Sequence, residues 1–357
     1  MIINLYAIII MAFTHQDTEC MALALKLSQF GRKAVGANPM VGCVISRDDK
    51  IIAQDYHRLY GEGHAEVNAL EKINYKGENT NVYITLEPCT HFGKTPPCAD
   101  ALIRAGVKKV FIAMLDPNPL VSGSGVRALQ DNGIEVEVGL LEVEANEINR
   151  GFVKRMTSGL PFVTSKIAMS LDGRTAMKNG ESKWITSKAS REDVQMLRSL
   201  NQAILTGSGT IKSDNPMMTV RTESADSNPL RVVIDSNNII TDKSLNIFSS
   251  DAETLILNNN NSEMLANGKL DLKSALIKLG DMGINNLLLE AGSSLNGAMT
   301  EAGLIDEFII YTAPLILGSD ANPMIEIPLK KMSDKIKLNI IEVSQIDCDI
   351  KIRATIK

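Results

Sequence analysis

The sequence predicts an α/β protein built from two domains. Its 357 residues, of which 44% are hydrophobic, suffice for two buried cores. Helix-like and strand-like patterns alternate along both halves, and Ser158-Gly159-Leu160-Pro161 between them is typical of a boundary. We therefore expect one domain over residues 15–140, a helix-forming linker over 141–160 and a second domain over 161–357.

In the first half, turn residues and apolar periodicity mark the elements. Gly61 and Gly63 interrupt the chain before a helix whose apolar residues recur every three or four positions, and Gly106 closes another helix. The predicted helices are residues 19–31, 65–73, 98–106 and 125–132, and the predicted strands are 40–46, 51–53, 82–86, 109–114 and 135–138. This order predicts a sheet covered by helices on its faces, with functional side chains at the strand ends.

The second half repeats the alternation of strands and helices, which again predicts a layered α/β domain. The predicted strands are residues 162–168, 203–206, 231–234, 254–257, 286–289, 307–313 and a segment near the C-terminus. The predicted helices are 188–199, 272–282 and 295–302.

Four residues of the first half form the pattern of a zinc-dependent deaminase. His64, Cys89 and Cys98 supply three zinc ligands, and Glu66 supplies a carboxylate beside them. A zinc ion with three protein ligands keeps one position for water and lowers the pKa of that water from about 16 toward about 7. Glu66, two residues after His64, is the expected proton shuttle between the water and the leaving amine.

The spacing of the two cysteines leaves an alternative open. Nucleobase deaminases generally place two residues between them, whereas this chain places eight, Thr90 to Pro97. The alternative is a structural zinc site, or two buried cysteines with an unrelated histidine. Three ligands and a nearby carboxylate favour an open, catalytic site. Cys98 is also predicted at a helix N-terminus, where the helix dipole favours a thiolate.

Charge and cysteine content limit the function and the compartment. The net charge is −5, so no overall positive field attracts a phosphate backbone, and a nucleic-acid substrate is not expected. The cysteines number five, and Cys20, Cys43 and Cys348 are expected to pack as small hydrophobic residues. We expect a reducing, cytoplasmic location. Residues 1–13 are apolar but short and lack a basic flank, so neither a signal peptide nor a membrane anchor is expected, and Met11 is an alternative start.

Two glycine- and serine-containing turns in the second half are candidate anion sites. One follows the strand that ends before Glu290 and runs through residues 291–298, and the other covers residues 206–210. Backbone N–H groups at such strand-to-helix turns bind phosphate, although an ordinary turn with caps is an equal alternative. Arg198 and Arg221 suit a phosphorylated substrate, the alternative being solvated surface charges. The single tryptophan, Trp184, could be a core residue or a cofactor platform.

Many ordered segments of the chain together carry a family resemblance. In the first half they are Asn38-Pro39-Met40-Val41-Gly42, His64-Ala65-Glu66-Val67, Thr85-Leu86-Glu87-Pro88-Cys89, Gly93-Lys94-Thr95-Pro96-Pro97-Cys98 and Asp116-Pro117-Asn118-Pro119. In the second half they are Ser170-Leu171-Asp172-Gly173-Arg174-Thr175-Ala176, Gly180-Glu181-Ser182-Lys183-Trp184-Ile185-Thr186, Asp214-Asn215-Pro216 and Leu317-Gly318-Ser319-Asp320. From about residue 17 to the C-terminus, the chain resembles the bifunctional riboflavin-biosynthesis deaminase/reductase family, whose wide cysteine spacing it also shares.

The resemblance implies two folds, two reactions and two cofactors. The first domain would be a cytidine-deaminase-like three-layer domain that uses Zn²⁺ to hydrolyse the amino group of a pyrimidine with a phosphoribosylamino substituent. The second would be a dihydrofolate-reductase-like domain that uses NADPH to reduce the ribosyl group of that product to a ribityl chain. The expected partners are this small phosphorylated pyrimidine and further copies of the chain, in a dimer or tetramer.

The resemblance also implies roles for individual residues. His64, Cys89 and Cys98 would bind zinc, with Glu66 catalytic. The deaminase substrate would be surrounded by Asn38, His57, Lys94, Asp116 and Asn118. The reductase substrate would contact Lys166, Ser182, Arg198, Met218, Arg221 and Glu290. The cofactor would be held by Ala168, Trp184, Thr210, Asp214, Ser236, Gly292, Ser293, Ser294, Leu295, Asn296, Gly297 and Ala298.

Two other classes of function remain possible on the residues alone. One is a nucleic-acid-editing deaminase with an appended RNA-binding half, although the chain has no basic stretch interleaved with aromatic residues. The other is a non-catalytic binding protein held together by zinc, in which Glu66 would be dispensable.

Overall fold

The computed structural model describes residues 13–93, 95–119, 121–222 and 228–357. The chain divides into two compact units, the first ending at Thr157 and the second beginning at Ser158. Within the described ranges, we find no helix that is both long enough and apolar enough to cross a bilayer.

The first unit contains six helices and five strands among its described residues. The helices are α1 (His15–Ser28), α2 (Ala65–Lys72), α3 (Cys98–Ala105), α4 (Ser124–Asp131), α5 (Glu142–Ile148) and α6 (Arg150–Ser158). The strands are β1 (Gly42–Arg47), β2 (Lys50–Tyr56), β3 (Asn81–Ile84), β4 (Lys109–Ile112) and β5 (Glu135–Val138).

The five strands form one sheet in the order β2-β1-β3-β4-β5. β1 is antiparallel to β2 and β3, whereas β3, β4 and β5 are parallel. Helices α1 and α5 contact each other, and α2, α3 and α4 form a second contacting series, so the sheet lies between two helical layers. The carboxyl ends of β3 and β4 face the same edge, and the segments that follow them carry Cys89 and Asp116.

Helix α1 begins at residue 15, four residues earlier than the apolar pattern predicts. Thr14 and Asp17 explain the difference, because they form a capping box: the Thr14 side chain accepts a hydrogen bond from the Asp17 N–H, and Asp17 Oδ2 accepts one from the Thr14 N–H. Gly42 then lets α1 approach the sheet, since a β-carbon there would lie 1.9 Å from the Ala24 carbonyl oxygen. The capping box therefore determines where α1 begins, and Gly42 allows the helix to pack closely against the sheet.

Most of the predicted linker, residues 141–160, is helical and packs within the first unit, which ends at Thr157, whereas residues 158–160 belong to the second unit. Helices α5 and α6 lie there, and Ala145 and Phe152 belong to the same buried cluster as the residues of the sheet. The segment is thus a structural part of the unit that contains the zinc pattern.

The second unit contains four helices and ten strands among its described residues. The helices are α7 (Lys188–Ser199), α8 (Ser208–Asp214), α9 (Leu272–Asp281) and α10 (Ser293–Glu301). The strands are β6 (Phe162–Ser170), β7 (Arg174–Ala176), β8 (Ala203–Gly207), β9 (Leu230–Ile234), β10 (Thr254–Leu257), β11 (Asn286–Leu289), β12 (Glu307–Ala313), β13 (Asn322–Pro323), β14 (Leu338–Ile346) and β15 (Asp349–Ile356).

Eight of these strands form one sheet in the order β10-β9-β8-β11-β6-β12-β15-β14. The six from β10 to β12 are parallel, and the C-terminal hairpin β14–β15 is antiparallel. Strand β12 is buried along its whole length, as expected for a central strand covered on both faces. This topology places the carboxyl ends of β8, β11 and β6 side by side.

Two sequence predictions for this half are wrong in detail. Part of the predicted turn at residues 206–210 is helical, because α8 begins at Ser208 with Gly207 as its N-cap residue. Cys348 is exposed rather than packed, since it lies in the tight turn of the C-terminal hairpin beside Asp347, whose φ is 54°. Cys20 and Cys43 are buried as predicted.

Candidate metal centre and substrate sites

Three side chains converge at the edge of the first sheet. The His64 Nδ1 atom lies 3.6 Å from Cys89 Sγ and 3.2 Å from Cys98 Sγ. All three potential ligand atoms lie within 4.8 Å of one another, and no fourth His, Cys, Asp or Glu joins this group within the described ranges. One imidazole and two thiols at this spacing suit a zinc ion that retains one open position.

The local fold explains why these residues meet. His64 is the N-cap residue of α2 and Cys98 is the first residue of α3, so both lie at helix N-termini. Cys89 follows strand β3, and its carbonyl accepts a hydrogen bond from the Ala99 N–H at 3.1 Å. The eight-residue interval between the cysteines is therefore closed by backbone pairing at its ends.

The two cysteines differ in their electrostatics: the hydrogen bond with Cys89, together with burial, raises the pKa of Cys98. The hydrogen bond from Cys98 lowers the pKa of Cys89 to about 4, although burial opposes the shift, and the His64 ring contributes in the same direction. The Cys98 N–H also points at Cys89 Sγ, 3.4 Å away. A thiolate is the form of cysteine that binds zinc.

Glu66 lies beside the ligands without belonging to their group. Its side chain is 3% exposed, and its Oε2 atom has no hydrogen-bond partner among the described residues. Burial raises the pKa of Glu66 to about 7. Glu66 has one unpaired oxygen, and its side chain interacts with His64 and Cys98 of the cluster, so it has the position needed to handle a proton of a bound water. These residues therefore fit zinc.

A cavity of about 530 Å³ opens onto this cluster. Among the residues that the sequence predicts around the deaminase substrate, Asn38, His57, Asp116 and Asn118 line it together. Lys94 lies outside the described residues, but Gly93 and Thr95 on either side of it also line the cavity.

His57 is fixed in one tautomer by its neighbours. Its Nδ1 atom lies 3.2 Å from the Gly63 carbonyl and donates to it, and its Nε2 atom accepts from Asn38 Nδ2 at 3.1 Å. Burial lowers the pKa of His57, so the neutral ring is favoured. His57 and Asn38 thus enter the cavity as one hydrogen-bonded pair.

In the second unit, the predicted reductase residues cluster at strand ends. Glu290, directly after β11, accepts from Arg198 Nε at 2.6 Å and Arg198 Nη2 at 3.1 Å, and Lys166 Nζ of β6 lies 3.2 Å from its Oε2. Arg198 Nη1 donates to the Thr219 carbonyl beside Met218. Arg198 is 9% exposed, so the alternative of a solvated surface charge is wrong for it.

The two predicted anion-binding turns are neighbours in space. Gly207 ends β8 and lies next to Leu295 of α10, and the Glu290 N–H donates to the Leu205 carbonyl of β8. Gly292 is the N-cap residue of α10, which contains residues 293–298. Asn296 and Gly297 are directed into the fold: Asn296 accepts from Ser165 Oγ, and a β-carbon on Gly297 would lie 2.0 Å from the Glu326 carbonyl oxygen.

The remaining predicted cofactor and substrate residues are more dispersed. Trp184 is 68% exposed with the Arg191 guanidinium 4.4 Å from its ring centre, so it is not a core residue. Ser236 follows β9 and its hydroxyl accepts from the Leu270 N–H. Arg221 is exposed, and its charge interacts with those of Arg198 and Glu290. Ala168 lies on β6, Thr210 and Asp214 lie on α8, and Ser182 lies shortly before α7.

Comparison with known proteins identifies the family. A family model described as the RibD C-terminal domain matches residues 161–352, and one described as the cytidine and deoxycytidylate deaminase zinc-binding region matches residues 14–114. The riboflavin biosynthesis protein RibD of Escherichia coli (strain K12) is 43% identical, over 94% of this chain and 98% of its own. The chain belongs to the RibD family.

Solved structures agree over nearly the whole chain. RibD from Acinetobacter baumannii (form 1) superimposes with a TM-score of 0.89 at 39% identity, covering 96% of this chain and 99% of its own. A Thermotoga maritima protein named diaminohydroxyphosphoribosylaminopyrimidine deaminase/5-amino-6-(5-phosphoribosylamino)uracil reductase gives 0.87 at 32% identity, with the same coverage.

Membership of the RibD family confirms the main functional prediction. The chain is a bifunctional enzyme of riboflavin biosynthesis, with a zinc-dependent deaminase and an NADPH-dependent reductase. The predicted cytidine-deaminase-like and dihydrofolate-reductase-like folds are confirmed with it. The two alternative classes of function are set aside.

Sequence reasoning missed Glu87, a buried residue of the RibD deaminase unit. Its Oε2 accepts from the N–H groups of Asp116 and Gly123, at 3.1 and 2.9 Å, and its Oε1 accepts from those of Gly125 and Val126, at 2.8 and 3.2 Å. One carboxylate thereby holds the segment with Asp116 and the start of α4. Its place two residues before Cys89 was the available signal.

Proposed function

We propose that the first unit deaminates 2,5-diamino-6-(5-phosphoribosylamino)pyrimidin-4(3H)-one, and that the second reduces the ribosyl group of the product to a ribityl phosphate. The observation that carries the proposal is Glu66, buried with a free oxygen beside a three-ligand metal group that opens into a cavity. The name of the Thermotoga maritima relative supports this choice of substrates.

In the deaminase unit we assign the metal ligands to His64, Cys89 and Cys98 and the catalytic role to Glu66. Bound zinc supplies a Lewis acid that makes water a competent nucleophile at neutral pH. Glu66 takes a proton from the attacking water and returns one to the departing amino group, which leaves as ammonia. The free Glu66 oxygen is the atom available for both transfers.

The other cavity residues orient the pyrimidine. Asn38 and the neutral His57 ring form a fixed hydrogen-bonding pair, and Asp116 is held by Glu87. Burial raises the pKa of Asp116 above its ordinary value, and its side chain lines the cavity. Asn118, whose N–H donates to Asp116 Oδ1, completes this side, and Lys94 is assigned to the same substrate.

In the reductase unit no protein nucleophile is required. Bound NADPH supplies the hydride, so the protein provides orientation and charge. Lys166, Arg198 and Glu290 form a connected group with one excess positive charge, which suits a phosphorylated sugar. Ser182, Met218 and Arg221 are assigned to the same substrate.

We assign cofactor binding to residues near the adjacent strand ends of β8 and β11 and to more dispersed residues of the second unit. They are Ala168, Trp184, Thr210, Asp214, Ser236, Gly292, Ser293, Ser294, Leu295, Asn296, Gly297 and Ala298. Support comes from the N-terminus of α10, whose first N–H groups follow Gly292. Asn296 and Gly297 are buried in the fold, so they would stabilise the conformation of this turn rather than contact the cofactor. We keep residues 15–140 and 161–357 as the two predicted catalytic segments and treat the helices within residues 141–157 as part of the first unit.

A single incubation tests the proposed function. Zinc-loaded protein receives the phosphoribosylamino-pyrimidine with and without NADPH, and ammonia release and NADPH oxidation are both followed. We expect ammonia in both reactions and a second, reduced product only with NADPH. Absence of ammonia, or the same product in both reactions, would contradict the proposal.

We further propose that the protein is a cytoplasmic homo-oligomer, a dimer or tetramer. Edge strand β14 supports this, because Leu338, Ile340, Ile341 and Val343 are between 41% and 60% exposed on it. An exposed apolar edge strand is a common pairing surface. Light scattering coupled to gel filtration measures the mass directly, and a mass of one chain at micromolar concentration would reject it.

A further inference from the structure

Helix α6 and the residue before it contact the segment that carries Asn38. Asn149 Oδ1 accepts from the Met40 N–H at 2.8 Å, and Asn149 Nδ2 donates to the Met40 carbonyl at 2.9 Å. Arg155 Nη2 donates to the Ala37 carbonyl at 2.8 Å. One amide therefore satisfies both backbone groups of a residue 109 positions away in the sequence.

The segment needs such support because it has no regular structure of its own. Residues 37–41 lie between the last turn after α1 and the start of β1. Asn149 is 3% exposed, so its two hydrogen bonds with Met40 are shielded from water. Removing them would leave the Met40 N–H and carbonyl without partners and free the segment to shift.

The same helix supplies part of the cavity wall. Phe152 and Met156, one turn apart on α6, line the cavity together with Asn38 and His57. Phe152 is 9% exposed, and the Arg155 guanidinium lies 5.9 Å from its ring centre. An aromatic ring and a thioether are apolar surfaces that suit the flat face of a pyrimidine.

We propose that α6 with Asn149 is a component of the deaminase substrate site. Asn149 and Arg155 are positioning residues that hold Asn38 in place, and Phe152 and Met156 contact the bound pyrimidine. A helix that sequence analysis places in a linker thus determines how tightly the first unit holds its substrate. The inference rests on the proposed deaminase role of the cavity.

The test separates substrate binding from chemistry in the full-length, zinc-loaded protein. Asn149→Leu deletes both hydrogen bonds while keeping the number and branching of the side-chain heavy atoms, and Met156→Ala removes one wall contact. We expect the KM for ammonia release to rise roughly 10- to 100-fold in Asn149→Leu, the scale of a misplaced binding group, and less in Met156→Ala. The turnover number and zinc content should change little, because Glu66 and the ligands are untouched.

Val153→Ala is the matched control. Val153 lies on the same helix and packs against the core of the first unit, but it does not line the cavity. Its substitution removes apolar volume without touching the substrate site, so the KM should stay at the wild-type value. NADPH oxidation on the deaminated substrate, measured in each variant, reports on integrity of the second unit.

The outcomes are distinct. Wild-type KM values in both Met156→Ala and Asn149→Leu would overturn the role of α6 while leaving the deaminase assignment intact. If Val153→Ala raises the KM as much as Asn149→Leu and Met156→Ala do, a general loosening of helix α6 would explain the effect. That result would also overturn the proposed role. A wild-type protein that releases no ammonia from this pyrimidine would overturn the proposed function and this inference together. If Asn149→Leu does not fold, the KM for ammonia release of Met156→Ala is compared with that of Val153→Ala. The proposal then requires a higher KM in Met156→Ala.

Discussion

Arg198 and Glu290 form a two-pronged ion pair inside the reductase unit. The two nitrogen–oxygen distances are 2.6 and 3.1 Å, and the residues join the end of α7 to the end of β11 across 92 positions of sequence. Lys166 contacts the same carboxylate at 3.2 Å. Two cations sharing one carboxylate leave a net positive group at the strand ends.

Replacing Arg198 with alanine should impair the reductase and spare the deaminase. Arg198 supplies one of the two cations of the group assigned to the phosphorylated substrate, and its loss leaves Lys166 as the charged contact of Glu290. We therefore expect at least a roughly 100-fold lower kcat/KM for NADPH oxidation, with ammonia release near the wild-type rate. Lys188→Ala on the exposed face of α7 is the control. Equal loss of both activities would show that the two sites are not independent.

The acid stability of the second unit should depend on Glu290. Burial alone would raise its pKa, but the charges of Arg198 and Lys166 outweigh burial and hold the pKa at about 2, against an ordinary value of 4.5. A lowered pKa contributes stability that is present above about pH 4.5 and is lost as the pH falls toward 2. The loss in the free energy of unfolding should amount to roughly 2 kcal/mol at pH 3 and to roughly 3 kcal/mol once the pH is below 2.

Trp184, the only tryptophan, lies in this unit and provides the fluorescence signal for urea titrations between pH 7 and pH 3. Glu290→Gln should lower stability at pH 7 and flatten its fall with acid, whereas Glu301→Gln, an exposed change on α10, should follow the wild type. An unchanged acid profile in Glu290→Gln would assign the pH dependence to other groups.

Much of this architecture was predictable, because hydrophobic residues occur along the chain in the patterns typical of strands and helices. Strands β10, β11 and β12 and helix α7 have the predicted bounds, since short apolar runs between polar segments and an amphipathic helix leave few alternatives. Helix α8 was not predictable, because its seven residues show no periodic recurrence of hydrophobic residues and follow a turn that contains glycine. The grouping of His64, Cys89 and Cys98 was predictable from their residue types and their order along the chain.

The contacts of Glu87 and Asn149 were not predictable in the same way. Both bind backbone groups, which carry no sequence signal, and their partners lie 29 to 39 and 109 positions away. Such pairings depend on which loops the folded sheet brings together. The local sequence pattern therefore predicts the helices, the strands and the types of metal ligand. Hydrogen bonds between a side chain and a distant backbone group are seen only in the structure.

Glu66→Gln should abolish ammonia release. The amide cannot take up a proton, so the transfer between water and the leaving amine loses its carrier. General acid–base groups typically contribute 10²- to 10⁴-fold, and we expect a loss toward the upper end of that range. Zinc content and NADPH oxidation on deaminated substrate should persist. Retained ammonia release in a zinc-loaded variant would reject the shuttle role.

Cys98→Ser should lower the zinc content of the purified protein. A serine hydroxyl is a far weaker zinc ligand than a thiolate, so one of three donors is lost. Metal analysis after dialysis should give well under one zinc per chain, with the reductase activity retained. Cys43→Ser, a buried substitution outside the ligand group, should keep its metal. Full zinc occupancy in Cys98→Ser would place the ion elsewhere.

Glu87→Gln should weaken binding of the deaminase substrate. Each Glu87 oxygen accepts hydrogen bonds from two backbone N–H groups. In the variant, the amide nitrogen would stand in the place of one oxygen, so two donors would face another donor. Either the segment at Asp116 or the start of α4 must then move. We expect a KM rise of roughly tenfold or more. Glu78→Gln, an exposed change in the same unit, serves as the comparison. A wild-type KM in Glu87→Gln would show that Asp116 is held by other contacts.

The interval between Cys89 and Cys98 has one more consequence. Its residues His91, Gly93 and Thr95 border the cavity, and its two ends are the thiol donors. A ligand in the cavity therefore contacts the segment whose two ends provide the thiol donors. Because such a ligand would bind the folded, metal-loaded form, its presence should slow the loss of zinc to a chelator.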